Sequence, residues 1–377
     1  MSVGGRLYLD WNASAPVCER AREAAMAALL AGGNASSVHA EGRSSRAVVE
    51  RARRALAARF GVDADRVIFT SGGTEANATA LAPGVTGPSG RPVERLVVSA
   101  VEHLAVLAGG RFAACDVTVV PVDGEGRVRL GALDAALAAD PRPALVSVMA
   151  ANNETGVLQP LADVAEVAAR HGALFHTDAA QAFGRVPEEA LVADLVSLSG
   201  HKIAAPGGVG ALVRRSPVAV PPLVRGGGQE RGARAGSENV PAIAGFAAAL
   251  GGRAADPHAW GETRAARDDF EAEALRRIPG ARIFGSGAPR LPNTSLVSAG
   301  TVPAELALIG LDLAGVAVSA GAACSSGKVS VSHVLLAMGI PEAVARTAIR
   351  ASAGPDGAGA AFARFLVALE NVVVRRA

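Results

Sequence analysis

Over its first two-thirds, this chain alternates short apolar runs with longer helical stretches, and that alternation limits its fold more than any other feature. The runs at 67–70, 96–99, 117–120, 145–149, 174–177 and 195–198 are nearly continuous in Val, Leu, Ile and Phe, and most are bounded by polar or glycine turns. Such runs suit strands covered on both faces of a sheet. Stretches with helical spacing lie between them, for example 43–60, stopped by Gly61, and 161–170, stopped by Gly172. The alternation predicts an α/β fold with a mostly parallel sheet. Near Gly251-Gly252-Arg253 the texture changes. A charged helical stretch at 262–277, shorter strands and a closing helix at 357–376 read as a smaller α+β domain.

Bulk properties exclude several function classes. The chain of 377 residues can bury a sizeable core, and half of it is apolar. No apolar run of about 18 residues marks a membrane span, and the first residues lack a signal-peptide pattern. Three cysteines, Cys18, Cys115 and Cys324, make no disulfide framework, so a reducing cytoplasm is the expected setting. A net charge of +2, one Tyr and two Trp give no aromatic, basic platform for nucleic acid. No metal site is expected.

Of the 37 basic residues only Lys202 and Lys328 are lysines. Arginine serves most salt bridges, but it cannot lose its proton at accessible pH or act as an amine nucleophile. A lysine retained in so arginine-rich a chain is a candidate for amine chemistry. Lys202 follows the run at 195–198 in Ser199-Gly200-His201-Lys202, where Ser199 and His201 are short-range donors suited to a phosphate. Three further run ends carry polar groups. Ser71-Gly72-Gly73-Thr74 opens a helical stretch, reading either as an anion cradle or as an ordinary turn with Thr74 as N-cap. Asp178 and Gln181 follow the run at 174–177, and Asn152-Asn153 follows the run at 145–149. Ligand sites gather at the carboxyl ends of parallel strands. An amine, a carboxylate, an amide and an anion cradle form the set that pyridoxal phosphate needs.

Three other residues stand out. His103, after the run at 96–99, is placed to lie over a cofactor ring, although a lone histidine is more often a surface or core residue. Cys324 sits among small polar residues in Ala323-Cys324-Ser325-Ser326-Gly327-Lys328, which suits an exposed thiol that Lys328 would help ionise. Cys18 and Cys115 read instead as small buried hydrophobes. Arg350, flanked by Ile349 and Ala351, needs an anion, which is either a substrate carboxylate or an internal salt bridge.

Taken together, Phe69 to Asn77, Val101 to Val106, Asn152 to Gln159, His176 to Gln181, Ser197 to Lys202, Gly226 to Val240 and Val316 to Ser326 resemble the cysteine desulfurases of the NifS/IscS kind. These belong to the pyridoxal-phosphate enzymes of aminotransferase class V. The resemblance runs from Tyr8 to the Arg350 segment, and it implies a fold-type-I homodimer with a mostly parallel central sheet of the seven-stranded type, helices on both faces. It implies a large cofactor-binding domain over 1–250, a small domain over 251–377, and an N-terminal segment that contributes to the small one.

By matching positions, the cofactor would be carried on Lys202, with Asp178 at the ring nitrogen, Gln181 at the ring hydroxyl and His103 on the ring face. Gly73, Thr74, Ser199 and His201 would bind the phosphate, and Ser237 would reach it from the other subunit. Asn153 and Arg350 would hold the carboxylate of L-cysteine, and Cys324 would take its sulfur as a persulfide, leaving L-alanine. The implied acceptor is an iron–sulfur scaffold or another sulfur carrier. Ala13-Ser14-Ala15-Pro16 replaces the usual Ala-Thr-Thr-Pro, and Ser237 stands where threonine is commoner. The sequence stops at Ala377, before the extension with which some members dock the scaffold. A selenocysteine or C–S lyase, or a non-catalytic partner protein that binds the cofactor, are the competing expectations.

Overall fold

The computed structural model describes residues 2–3, 5–321 and 331–374. Two short strands, β1 (Ser2–Val3) and β2 (Arg6–Tyr8), open the chain. The apolar runs then become β3 (Val67–Thr70), β4 (Arg95–Ser99), β5 (Val117–Val120), β6 (Ala144–Ser147), β7 (Leu174–Asp178) and β8 (Leu195–Ser199). With β9 (Gly210–Arg214) they form a seven-stranded sheet in the order β3-β9-β8-β7-β6-β4-β5. Side chains alternate between its two faces, as a pleated strand requires. Val97 and Val146 join a core with Leu56 and Phe246, while Leu96, Val98 and Leu145 join one with Ala76 and Val106.

β9 is missing from the sequence reading. It follows the glycine-rich turn Pro206-Gly207-Gly208 and runs antiparallel to both β3 and β8, so no helix announces it. Because β9 reverses between them, β3 points the same way as β8, and the remaining pairs are parallel. The carboxyl ends of β3, β4, β6, β7 and β8 therefore open on one edge of the sheet.

Other differences are local. β6 stops at Ser147 rather than at 149, because the Met149 amide turns away to the carboxylate of Glu102 at 2.7 Å. β5 is the outermost strand and not covered on both faces, with Val119 54% exposed. The helix expected at 43–60 begins earlier, at Ala40, where the His39 ring accepts a hydrogen bond from the Gly42 amide. It ends as expected at Gly61, whose left-handed φ of 61° suits glycine. Cys18 is only partly buried and Cys115 is exposed, against the reading of both as buried hydrophobes.

A second core forms around β10 (Thr294–Ser298), β11 (Val316–Ala317), β12 (Ser319–Ala320) and β13 (Ala348–Ser352). β13 lies between β10 and β12, antiparallel to both, and β11 pairs with β2. Helices Gly261–Arg277 and Ala358–Val374 cover it through Phe270, whose ring lies 5.4 Å from Phe362 and 5.0 Å from Phe365. Leu7 and Leu9 belong to this core. From there the chain crosses to the main sheet, where the Ala15 amide donates to His201 O and the Cys18 amide to Ala204 O, each at 2.9 Å. The crossing carries Asp10, Asn12 and Ala13 past the open edge of the sheet. No helix among the described residues is long and apolar enough to cross a membrane.

Candidate active site

The crossing segment and the strand ends enclose a cavity of about 500 Å³. Ser199 ends β8, and a tight turn over Gly200–Ile203 swings Lys202 into the cavity wall. Its Nζ donates to the carbonyls of Asn12 at 2.6 Å and Ala13 at 2.8 Å. Burial, then the positive charges of Arg350 and Arg185, push the amine down to about 7, against the pull of Asp10 and Asp178. An amine so placed is a base and a nucleophile near neutral pH. Beside it, burial and then Lys202 push the His201 ring down to about 4, so this imidazole is neutral and keeps one donor.

The helix Gly73–Ala80 starts at the end of β3. Its N-cap is Gly72, which has no side chain to cap with, so Thr74 is not the N-cap that the ordinary-turn reading required. The first helical hydrogen bond is donated by Ala76 to Gly72 O at 3.0 Å, leaving the Gly73 and Thr74 amides without helical partners. Both residues line the cavity, together with Ser199. Close packing from below fixes this loop, because a Cβ on Gly210 of β9 would lie 2.5 Å from the Gly72 carbonyl carbon. The result is a loop with two amides free of helical partners beside the hydroxyls of Thr74 and Ser199, a chemistry that suits an anion.

Asp178 ends β7 and is buried. Its Oδ2 accepts from Asn77 Nδ2 at 2.7 Å and its Oδ1 from the Ala180 amide at 2.9 Å, which fixes the carboxylate on the cavity wall. Gln181 lines the same wall and donates from Nε2 to Asn12 O at 2.9 Å. His103 reaches the cavity from beyond β4, with Nδ1 accepting from the Ala105 amide at 3.1 Å. Burial holds this ring below the ordinary imidazole range, and Asp178 opposes the shift. Next to it Glu102 is fully buried and pushed up to about 8 by burial. Its Oε1 accepts from Ser99 Oγ at 2.6 Å and from the Met149 amide at 2.7 Å, while Oε2 has no partner among the described residues.

The opposite wall comes from β13. Arg350, in the middle of that strand, donates from Nη2 to Asp10 at 2.7 Å and from Nη1 to Asn153 O at 3.1 Å. Its Nε is buried without a partner among the described residues. The arginine therefore has the internal carboxylate partner that one sequence reading anticipated, and its Nε stays unpartnered among the described residues. Asn153 lines the cavity beside it.

The cavity thus gathers Gly73, Thr74, Ser199, His201 and Lys202 at one end, and His103, Asn153, Asp178, Gln181 and Arg350 around the rest. Ser237 is elsewhere. It lines a separate cavity of about 230 Å³ with Ser71, Gly208 and Arg234. Cys324 and Lys328 lie outside the described residues. Sequence reasoning missed Asp10, Asn12, Asn77 and Arg185, which hold the named groups in place; of these, Asn77 had a signal, since it closes the motif Gly72-Gly73-Thr74-Glu75-Ala76-Asn77 one helical turn beyond Gly73.

The sequence matches the family described as aminotransferase class-V over residues 7–356. A cysteine desulfurase of Cereibacter sphaeroides is 44% identical, over 98% of this chain and 96% of that protein. The cysteine desulfurase IscS of Dictyoglomus turgidum is 39% identical, over 92% of this chain and 89% of that one. Among solved structures, a NifS-like protein from Rickettsia africae superposes with a TM-score of 0.87 at 32% identity, covering 97% of this chain and 99% of the other.

Proposed function

Since the chain belongs to the aminotransferase class-V family, we propose that it works as a pyridoxal-phosphate-dependent cysteine desulfurase, taking sulfur from L-cysteine and leaving L-alanine. The observation that carries the reading is one cavity holding a desolvated lysine amine, a fixed carboxylate and a cradle of free amides. That donor set fits pyridoxal phosphate, and the buried Arg350 Nε and Asn77 Oδ1, without partners among the described residues, add polar capacity at the site.

Bound pyridoxal phosphate supplies an aldehyde that condenses with amines and a ring that accepts electron density from the amino acid. Lys202 would carry it. Asp178 would meet the ring nitrogen, Gln181 the ring hydroxyl oxygen and His103 the ring face. Gly73, Thr74, Ser199 and His201 would hold the phosphate, joined in a homodimer by Ser237 of the partner subunit. Arg350 and Asn153 would clamp the substrate carboxylate.

Freed from the cofactor, the Lys202 amine takes the Cα proton at Nζ, a role that its lowered proton affinity suits. The Cys324 thiolate then attacks the substrate sulfur. The C–S bond breaks, its electron pair stays with Cβ and takes up a proton there, the proton held at Lys202 Nζ returns to Cα to complete alanine, and the sulfur remains on Cys324 as a persulfide. A sulfur acceptor protein, an iron–sulfur scaffold or a carrier in the cytoplasm, receives it.

The test uses the lysine scarcity. Borohydride reduction of the yellow protein should fix the cofactor on the peptide of Lys202 and not on that of Lys328. L-Cysteine with a thiol reductant should give equal amounts of alanine and sulfide, and Cys324→Ser should stop this while keeping the colour. Undiminished sulfide release by that variant would overturn the persulfide step.

A further inference from the structure

Arg185 lies behind the site, on the turn that follows Gln181. Its side chain is buried, 3% of the residue being exposed, and its hydrogen-bond partners among the described residues are all neutral. Nη1 donates to Asn12 Oδ1 at 3.1 Å, to Gln181 O at 3.0 Å and to Gln181 Oε1 at 2.6 Å. Nη2 approaches the Lys202 carbonyl at 3.5 Å, and Nε has no partner among the described residues. The guanidinium carbon sits 5.6 Å from the centre of the Trp260 ring, which closes the far side. None of these partners is a carboxylate, and burying a charge without one is costly. Arg350, the other buried guanidinium at the cavity, has Asp10.

We propose that Arg185 is a positioning residue of the site, fixing which end of the Gln181 amide faces the cavity and keeping a positive charge behind Lys202. An arginine side chain offers five donors and no acceptor, so only the oxygen of Gln181 can turn toward it. The Gln181 nitrogen is thereby sent to Asn12 O, the same carbonyl that receives Lys202 Nζ. One backbone oxygen thus links the lysine to the amide that Arg185 orients. The charge acts on the lysine as well. Lys202 is faced by Arg350 from β13, Arg185 and Asp178 from β7 and its turn, Asp10 from the crossing segment, and the rings of His201 and His103. Arg185 and Arg350 favour the neutral amine, and the two aspartates oppose them. Among the described residues Arg350 has Asp10 beside it, and Arg185 has no acid to offset its field.

This inference rests on the reading of Lys202 as the reactive amine for its consequence, but its test needs no turnover. The full chain, freed of cofactor, is labelled with ¹³C-dimethyl groups on its amines and titrated by NMR. Only Lys202 and Lys328 give side-chain signals, and Lys328→Arg assigns them. Arg185→Met and Arg185→Gln both remove the charge, while Arg185→Gln keeps donors for Asn12 and Gln181. Both should raise the Lys202 midpoint by about one unit. Arg185→Lys keeps the charge and should leave the midpoint in place. An unchanged midpoint in the neutral variants, or an equal rise in Arg185→Lys, would overturn the proposal. If Arg185→Met does not fold, the Gln and Lys variants decide between these outcomes. Sulfide release is measured separately, so a failed desulfurase assay leaves the titration result intact, and the reverse holds.

Discussion

The cavity wall built from the main sheet and the wall built from β13 both present ionisable side chains, yet they treat charge differently. On the β13 side Arg350 is paired: Asp10 takes its Nη2, and Ser319 in turn donates to the other oxygen of Asp10 at 2.8 Å. On the main-sheet side burial wins over pairing. Lys202, His201 and His176 are all pushed toward their neutral forms, and burial is the largest cause for each. A compensated charge is stable and directional, which suits a clamp. A desolvated base is reactive, which suits proton transfer. In the proposed reaction the two walls would therefore divide holding from chemistry.

Swapping the chemistry of the main-sheet wall should have the largest effect. Lys202→Arg keeps a cation but removes the amine, and should cut sulfide release by roughly a thousandfold or more while abolishing borohydride fixation of the cofactor. Near-normal turnover would remove Lys202 from the mechanism. On the other wall, Asp10→Asn leaves Arg350 buried without its carboxylate and should cost about 3 kcal/mol of stability by urea denaturation. It also removes a charge that raises the Lys202 proton affinity. The lysine midpoint should therefore move further down, and an upward move would contradict the picture.

How much of this was readable in the sequence follows the same division. The main-sheet wall was readable because its polar groups cluster at strand ends: Asp178 closes the strand that starts at Leu174, and Lys202 sits in the turn just after the strand that starts at Leu195. Strand β9 was hidden because a glycine turn replaces the expected helix. The holding residues were hidden for another reason. Asn12 meets Gln181 and Arg185 across 169 and 173 residues of sequence, and Asp10 meets Arg350 across 340. Such contacts exist only once the first strands have joined the C-terminal core. Arg185 was further masked by composition, one arginine in a chain where arginine is the default cation.

A buried histidine gives the next smaller effect. His176 lies between Ser147 and Ser197 on the neighbouring strands, with ring nitrogens 2.8 and 2.9 Å from their hydroxyls. Burial pushes the ring down to about 3. Below the ordinary value of about 6.5 the unfolded chain gains a proton that the folded chain does not, so folding stability falls as the pH drops from there toward 3. His176→Gln should weaken the protein at pH 7, by about 1 kcal/mol for a strained hydrogen bond. It should also flatten the acid slope between pH 6 and 4, and an unchanged slope in urea midpoints would show that His176 does not set it.

Near pH 5 Glu102 should give the smallest effect, and its pH dependence has the opposite sign. Its carboxyl is pushed up to about 8, so the folded chain holds a proton that the unfolded chain loses above the ordinary glutamate value. The stabilisation is complete below that ordinary value and is lost as the pH rises through 8. Glu102→Gln mimics the neutral acid. Its amide oxygen can accept from Ser99 Oγ and the Met149 amide as Glu102 Oε1 does, and its nitrogen takes the place of the unpartnered Oε2. Near pH 5 the two proteins should match to within about 1 kcal/mol. At pH 9 the wild type has a buried charge to accommodate and the variant does not, so the variant should be the more stable. Urea midpoints at the two pH values measure the difference directly. A gap that stays constant would mean Glu102 is already ionised at pH 5, and the main-sheet wall would then hold an uncompensated anion beside His103 in place of a neutral acid.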